Sequence, residues 1–98
     1  MQTYLILRRG AFRDADHLAE TAIRSRRVGD EEMPTDVRWI RSYVLREPDG
    51  ALGTACVYQA SSPEAIREHA RRVGMRADEV LPIDGTVVIR PDPREGEA

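Results

Sequence analysis

Five residues near the middle of the chain could do chemistry together. Trp39, Arg41 and Tyr43 alternate along one strand-like run, and Cys56 and Tyr58 alternate along the next. Residues two apart on a strand share a face. If the two runs pair, the five side chains therefore line one surface carrying a guanidinium, two phenols, a thiol and an indole. The guanidinium would pair with an anion, and the phenols would donate to a ligand's oxygen. Arg41 beside Cys56 would favour the thiolate. In the plainer reading Cys56 is a core cysteine and the tyrosines are interface aromatics.

His69 and Cys56 are the candidate metal ligands. Imidazole titrates near neutrality and suits a ligand or a general base. A deprotonated Cys56 would be a soft ligand for nickel, zinc or copper, although no CxxC or HxxxH spacing accompanies it. The plainer reading of His69 is a boundary histidine, half-buried beside the sheet and hydrogen-bonded to it. His17, next to Asp14 and Asp16, could gather a cation, but acidic residues at a helix start are ordinary capping. No Ser-His-Asp grouping, Walker loop, GxGxxG or zincin motif is present. Ser42 falls on the face opposite Arg41 and Tyr43 and is not proposed as a nucleophile.

These residues need elements to position them. Residues 4–9 read as a first strand closed by Gly10. Asp14 or Asp16 can cap the helix that follows, whose stripe of Leu18, Ala19, Ala22 and Ile23 recurs at helical spacing. Gly29 reads as its left-handed stop. Residues 30–36 form a loop. Residues 37–46 and 51–59 are strands, joined by the Glu47-Pro48-Asp49-Gly50 turn. Ser62 and Pro63 open a second helix that ends at Gly74. Segments 80–83 and 86–89 supply a last extended stretch. Residues 1–90 thus form one domain, and the charged tail 91–98 reads as disordered.

The order βαββαβ is the ferredoxin-like α+β arrangement: a four-stranded antiparallel sheet with both helices on one face. The expected core between sheet and helices contains Ile40, Val44, Ala55, Val57, Leu18, Ile23, Ile66 and Val73. Tyr4, Ile6, Trp39, Tyr43, Cys56 and Tyr58 would then lie on the uncovered face. Burying one large aromatic is worth about 4–6 kcal/mol as an upper figure. A second copy should therefore cover that face and close a dimeric α+β barrel.

Composition narrows the class of protein. At 98 residues the chain is one domain, and its net charge of −2 argues against a general nucleic-acid binder. All fifteen basic residues are arginine. A single cysteine cannot form an internal disulfide, and no apolar run reaches membrane length. A cytoplasmic location without membrane or nucleic-acid partners is the expectation.

The runs WIRSYV, CVYQA, SSPEAIREHARRVG and MRADEV, taken in this order over residues 4–89, resemble the family called domain of unknown function 4242. The combined order is fairly specific, although each piece alone is weak. The resemblance implies a small, ferredoxin-like and often dimeric protein. Some members are described as nickel-binding, so it also implies nickel as the cofactor to consider.

Three functional classes remain open from the sequence. One is a dimeric binding protein that holds a metal or small ligand at the open sheet face. Another is a cofactor-free dimeric barrel enzyme, monooxygenase- or isomerase-like. The third is a structural subunit without a pocket. Arg41 is a fixed cation and disfavours a nearby metal ion. A small anionic or polar organic ligand therefore suits the Arg41, Tyr43 and Tyr58 surface better than nickel does.

Overall fold

Along the first strand, β1 (Gln2–Phe12), every second residue from Tyr4 to Arg8 is buried, the period of a strand covered on one side. Gly10, with φ +56°, lies where the pairing of β1 shifts between Arg8 and Phe12. The computed structural model describes residues 1–94. Asp14 caps α1 (Ala15–Arg27), its carboxylate accepting from the His17 amide at 2.8 Å. The expected stop at Gly29 is not made. The helix runs on as one π-helical turn, Val28–Glu32, and Gly29 does not have positive φ. This turn carries buried Val28 and leads into buried Met33. Burial of that apolar surface outweighs the weak local tendency of glycine to end a helix.

β2 (Val37–Arg46) and β3 (Leu52–Ala60) form the expected hairpin. The Glu47 amide donates to the Ala51 carbonyl at 2.9 Å, and Gly50 takes φ +90°. Ser62 caps α2 (Pro63–Val73), accepting from the Ala65 amide at 3.1 Å, and Gly74 closes it at φ +85°. β4 (Glu79–Pro82) is short, and residues 86–89 stay outside the sheet. The strand order is β2-β3-β1-β4 with every neighbouring pair antiparallel. This is the ferredoxin-like α+β fold, in the expected βαββαβ order. No helix among the described residues is long and apolar enough to cross a membrane.

Tyr4, Ile6, Cys56 and Tyr58 lie in the core with Ile66 and Val73 of α2, so they are beneath the helices rather than on the open face. Trp39 packs against that core. Ala55 and Val57 alternate with Cys56 and Tyr58 and fall on the uncovered side, where they are half-buried. Ile23 is 71% exposed, Ile40 42% and Val44 56%, so none of the three is core.

An extra residue in β2 sorts that strand. Trp39 pairs with Tyr58, but Arg41 pairs with Val57, so Ile40 is a bulge. Beyond it the parity of the strand reverses. Val37 and Trp39 face the helices before the bulge, and Ser42 and Val44 face them after it. Arg41 and Tyr43 are left on the open side, as expected for them.

Gly53 is required by a close approach. A Cβ there would stand 2.7 Å from the Arg8 carbonyl oxygen and 3.1 Å from the Gly10 nitrogen, both backbone atoms. Gly53→Ala should cost about 1–3 kcal/mol, the usual penalty for overpacking. Gly85→Ala, where nothing lies within 4 Å, serves as the neutral control. Urea midpoints of the two variants read the difference, and equal midpoints would contradict the close approach.

Candidate functional site

After Leu18 the inner face of α1 is built from small and polar residues. Leu18, Thr21, Ala22 and Ser25 recur at helical spacing, with Thr21 and Ser25 buried and the other two half-buried. Opposite them the sheet presents Trp39, Ser42, Cys56 and Tyr58. Small side chains on the helix do not fill the space, and a cavity of about 270 Å³ remains between α1 and the sheet. A cavity near 150 Å³ is enough to hold a benzene molecule.

Hydrogen bonds fix much of the wall. Trp39 Nε1–H donates to Ser42 Oγ at 2.8 Å, and Ser42 Oγ donates to Cys56 Sγ at 2.9 Å. Tyr58 OH and Ser25 Oγ are 2.9 Å apart across the sheet–helix gap. Trp39 stacks on Tyr58 with ring centroids 6.1 Å apart and planes 8° from parallel. Burial pushes the Tyr58 phenol up to about 12, against smaller opposing effects of its Ser25 hydrogen bond and the Arg8 charge. Tyr58 is therefore a neutral hydrogen-bonding wall residue at any physiological pH.

Arg8 is the largest fully buried side chain, at 1% exposure. Its Nε donates to the Arg76 carbonyl at 2.6 Å, and its guanidinium carbon lies 5.9 Å from the Tyr58 ring centroid. No carboxylate pairs with it among the described residues. Its Nη2 has no hydrogen-bond partner, nor does Thr54 Oγ1. Arg8 and Thr54 are partners in the β1–β3 register and both line the cavity. Arginine does not give up its proton in a protein, so burying it without a counter-charge costs several kcal/mol. An alternation argument extended one step along β1 would have flagged Arg8, because it continues the Tyr4–Ile6 face. Thr54 likewise continues the Cys56–Tyr58 face by alternation, whereas Ser25 carried no such signal.

The five sequence candidates divide between two sides of the sheet. Trp39, Cys56 and Tyr58 converge on the cavity. Arg41 and Tyr43 lie on the open side and meet Asp92, whose carboxylate accepts from Tyr43 OH at 2.9 Å and from Arg41 at 3.4 Å. Arg41 therefore does not act on Cys56. Of the tail 91–98, residues 95–98 lie outside the described residues.

His69 is fully buried rather than half-buried, and it bonds to α1 rather than to the sheet. Nε2 lies 3.0 Å from the Ser25 carbonyl. A carbonyl can only accept, so Nε2 carries the proton and Nδ1, which has no partner, is the bare nitrogen. His17 Nδ1 accepts from the Arg13 amide at 3.1 Å in the first turn of α1. No group of three or more His, Cys, Asp or Glu side chains gathers as a metal shell among the described residues.

A ferredoxin-like α+β domain with a hydrogen-bonded cavity between its first helix and its sheet is the class this structure defines. A family model described as "Nickel responsive protein SCO4226-like" matches residues 4–83, and the chain belongs to that family. Among solved structures, SCO4226 from Streptomyces coelicolor A3(2) is similar with a TM-score of 0.68 and 20% identity, covering 87% of this chain and 99% of that one. That likeness establishes the fold. No curated protein matches the chain in sequence.

Burial holds the His69 imidazole below its ordinary pKa, outweighing the Ser25 hydrogen bond, and the Arg8 charge adds to the lowering. In the unfolded chain it takes up a proton near pH 6.5. Stability contributed by neutral His69 is therefore complete above about pH 6.5 and is lost as pH falls toward the folded value. Glu68, drawn down to about 2 by hydrogen bonds from Arg71 and Arg72, titrates below this window. Urea midpoints should drop between pH 7.5 and pH 5.5, and His69→Gln should flatten that drop. Parallel pH slopes for the two proteins would remove His69 as the cause.

Proposed function

We propose that the protein is a cytoplasmic, dimeric, non-catalytic receptor for a small organic ligand, seated in the cavity between α1 and the sheet. The observation that carries this reading is an apolar cavity walled by buried polar atoms without partners. A structural subunit without a pocket would have a filled interior. Neither imidazole nor carboxylate, the commonest general bases, lines the cavity among the described residues. Ser42, the hydroxyl nearest to a nucleophile's setting, is hydrogen-bonded between Trp39 and Cys56. Binding is therefore favoured over the cofactor-free enzyme. The likeness to domain of unknown function 4242 is part of the same proposal.

The family description speaks of a nickel response. Nickel favours imidazole nitrogen with carboxylate or water. The donors in one chain do not fit that demand. His69 Nε2 is engaged by Ser25, Cys56 Sγ accepts from Ser42, and no third His, Cys, Asp or Glu joins either in a metal shell among the described residues.

Trp39 is the only tryptophan and lines the cavity, so its emission reports occupancy. Toluene and indene, neutral and small enough for the space, should change that emission saturably, whereas nickel chloride alone should not. Ala22→Trp would add a second fluorophore, so Ala22→Leu is the better blocking variant, and it should abolish the toluene response. A wild-type protein whose Trp39 emission ignores every neutral probe would overturn the cavity reading.

The dimer is proposed from the uncovered side. Leu5, Leu7 and Val57 alternate with buried residues there, beside Tyr43, which is 43% exposed. Val87, Val88 and Ile89 add three aliphatic side chains, each at least 70% exposed. A second copy would remove this apolar surface from water. Light scattering at micromolar concentration should give a dimer, weakened by Tyr43→Glu. A monomer throughout that range would dismiss the proposal.

A further inference from the structure

We infer that the ligand of this cavity is a monocarboxylate with a small apolar body, its carboxylate held by Arg8 and Thr54. This inference rests on the cavity reading above and adds the chemical class of what fills it. Two buried polar side chains, 1% and 2% exposed, stand side by side on neighbouring strands, and each has an atom without a partner. Both groups donate hydrogen bonds, and one of them carries a permanent positive charge. A neutral polar ligand would satisfy the hydrogen bonds and leave the charge uncompensated. An anion satisfies both.

The rest of the cavity sets the remainder of the ligand. Phe12, Leu18, Ala22, Trp39 and Met75 present carbon to it, and a bare inorganic anion would leave that surface wet. The remaining hydroxyls, Thr21, Ser25, Ser42 and Tyr58, are already hydrogen-bonded within the protein. One anionic group at the Arg8–Thr54 end and an apolar body toward α1 and the indole therefore complete the site. A cavity of about 270 Å³ accepts a body of roughly one aromatic ring with a short arm, by comparison with the ~150 Å³ cavity that holds benzene. The guanidinium is already positioned by its bond to the Arg76 carbonyl. Ordering it on binding therefore costs little.

The test compares phenylacetate with its neutral isostere phenylacetamide, both titrated into the wild-type protein with Trp39 emission and calorimetry as readouts. Phenylacetate should bind roughly 10- to 100-fold more tightly, the range expected for a charge-assisted hydrogen-bond pair. Thr54→Val should lower phenylacetate affinity several-fold while leaving toluene binding intact. Arg8→Met should erase the preference for the acid. Should Arg8→Met fail to fold, Arg8→Lys keeps the charge without the planar fork and should retain a reduced preference. Equal binding of acid and amide would overturn the carboxylate inference and leave the cavity reading standing. Inorganic phosphate competing as well as phenylacetate would overturn the apolar body. If toluene fails as well as phenylacetate, both readings fall together.

Discussion

The small inner face of α1 is the constraint on which this structure turns. A helix that presents Thr21, Ala22 and Ser25 to a sheet cannot fill the space beneath it. The bulk must come from the sheet, so Tyr58 and Trp39 turn toward the helices and Tyr4 and Ile6 follow by register. What the sheet cannot fill remains open as the cavity. On the α2 side the balance differs. Ile66, Val73 and the buried turn after α1 join the apolar core, and His69 is held there against Ser25 and Tyr58.

The same division explains a permanently charged side chain in the interior. Arg8 continues an otherwise apolar face, is tied to one carbonyl and one ring, and has no carboxylate among the described residues. A protein selected only for stability gains by replacing such a residue with a hydrophobic one. Natural chains tend to depart from local consistency where function requires it. The strained accounting at Arg8 and the partnerless hydroxyl at Thr54 lie on the wall of the cavity that α1 leaves. Packing, electrostatics and shape point to the same place.

One inserted residue decides what the other side of the sheet looks like. The bulge at Ile40 sends Arg41 and Tyr43 outward and draws Ser42 into the hydrogen-bonded wall. Without it, Arg41 and Tyr43 would stay on the covered side with Trp39, and the cavity would receive a second arginine. The open face keeps an aliphatic strip, a phenol and an arginine, the last two met by Asp92. Membership in a family described as nickel-responsive sits beside this arrangement without explaining it, because the donors in one chain do not assemble as a metal shell among the described residues.

By itself the sequence determined the order of elements, an acidic cap at Asp14 or Asp16, the cap at Ser62, the Pro-Asp-Gly turn, the end of α2 at Gly74 and the ferredoxin-like fold. These are local matters, set by side chains within a few residues of the backbone they satisfy. Alternation also grouped Tyr4, Ile6, Trp39, Cys56 and Tyr58 on one face, but it placed Tyr43 with them, and the bulge sends that residue to the other side. Which side of the sheet that face would occupy was not legible, because period-two alternation is symmetric between the sides. The choice depends on the volume that the facing helix brings, and α1 brings little. The bulge at Ile40 was hidden as well, since it exists only in the pairing of β2 with β3. Gly29, a plausible stop in isolation, was overridden by burial of Val28 and Met33. Only the tertiary structure could set Arg8 beside Thr54, because they are far apart in the chain and meet through antiparallel register, where each leaves a polar atom unpaired.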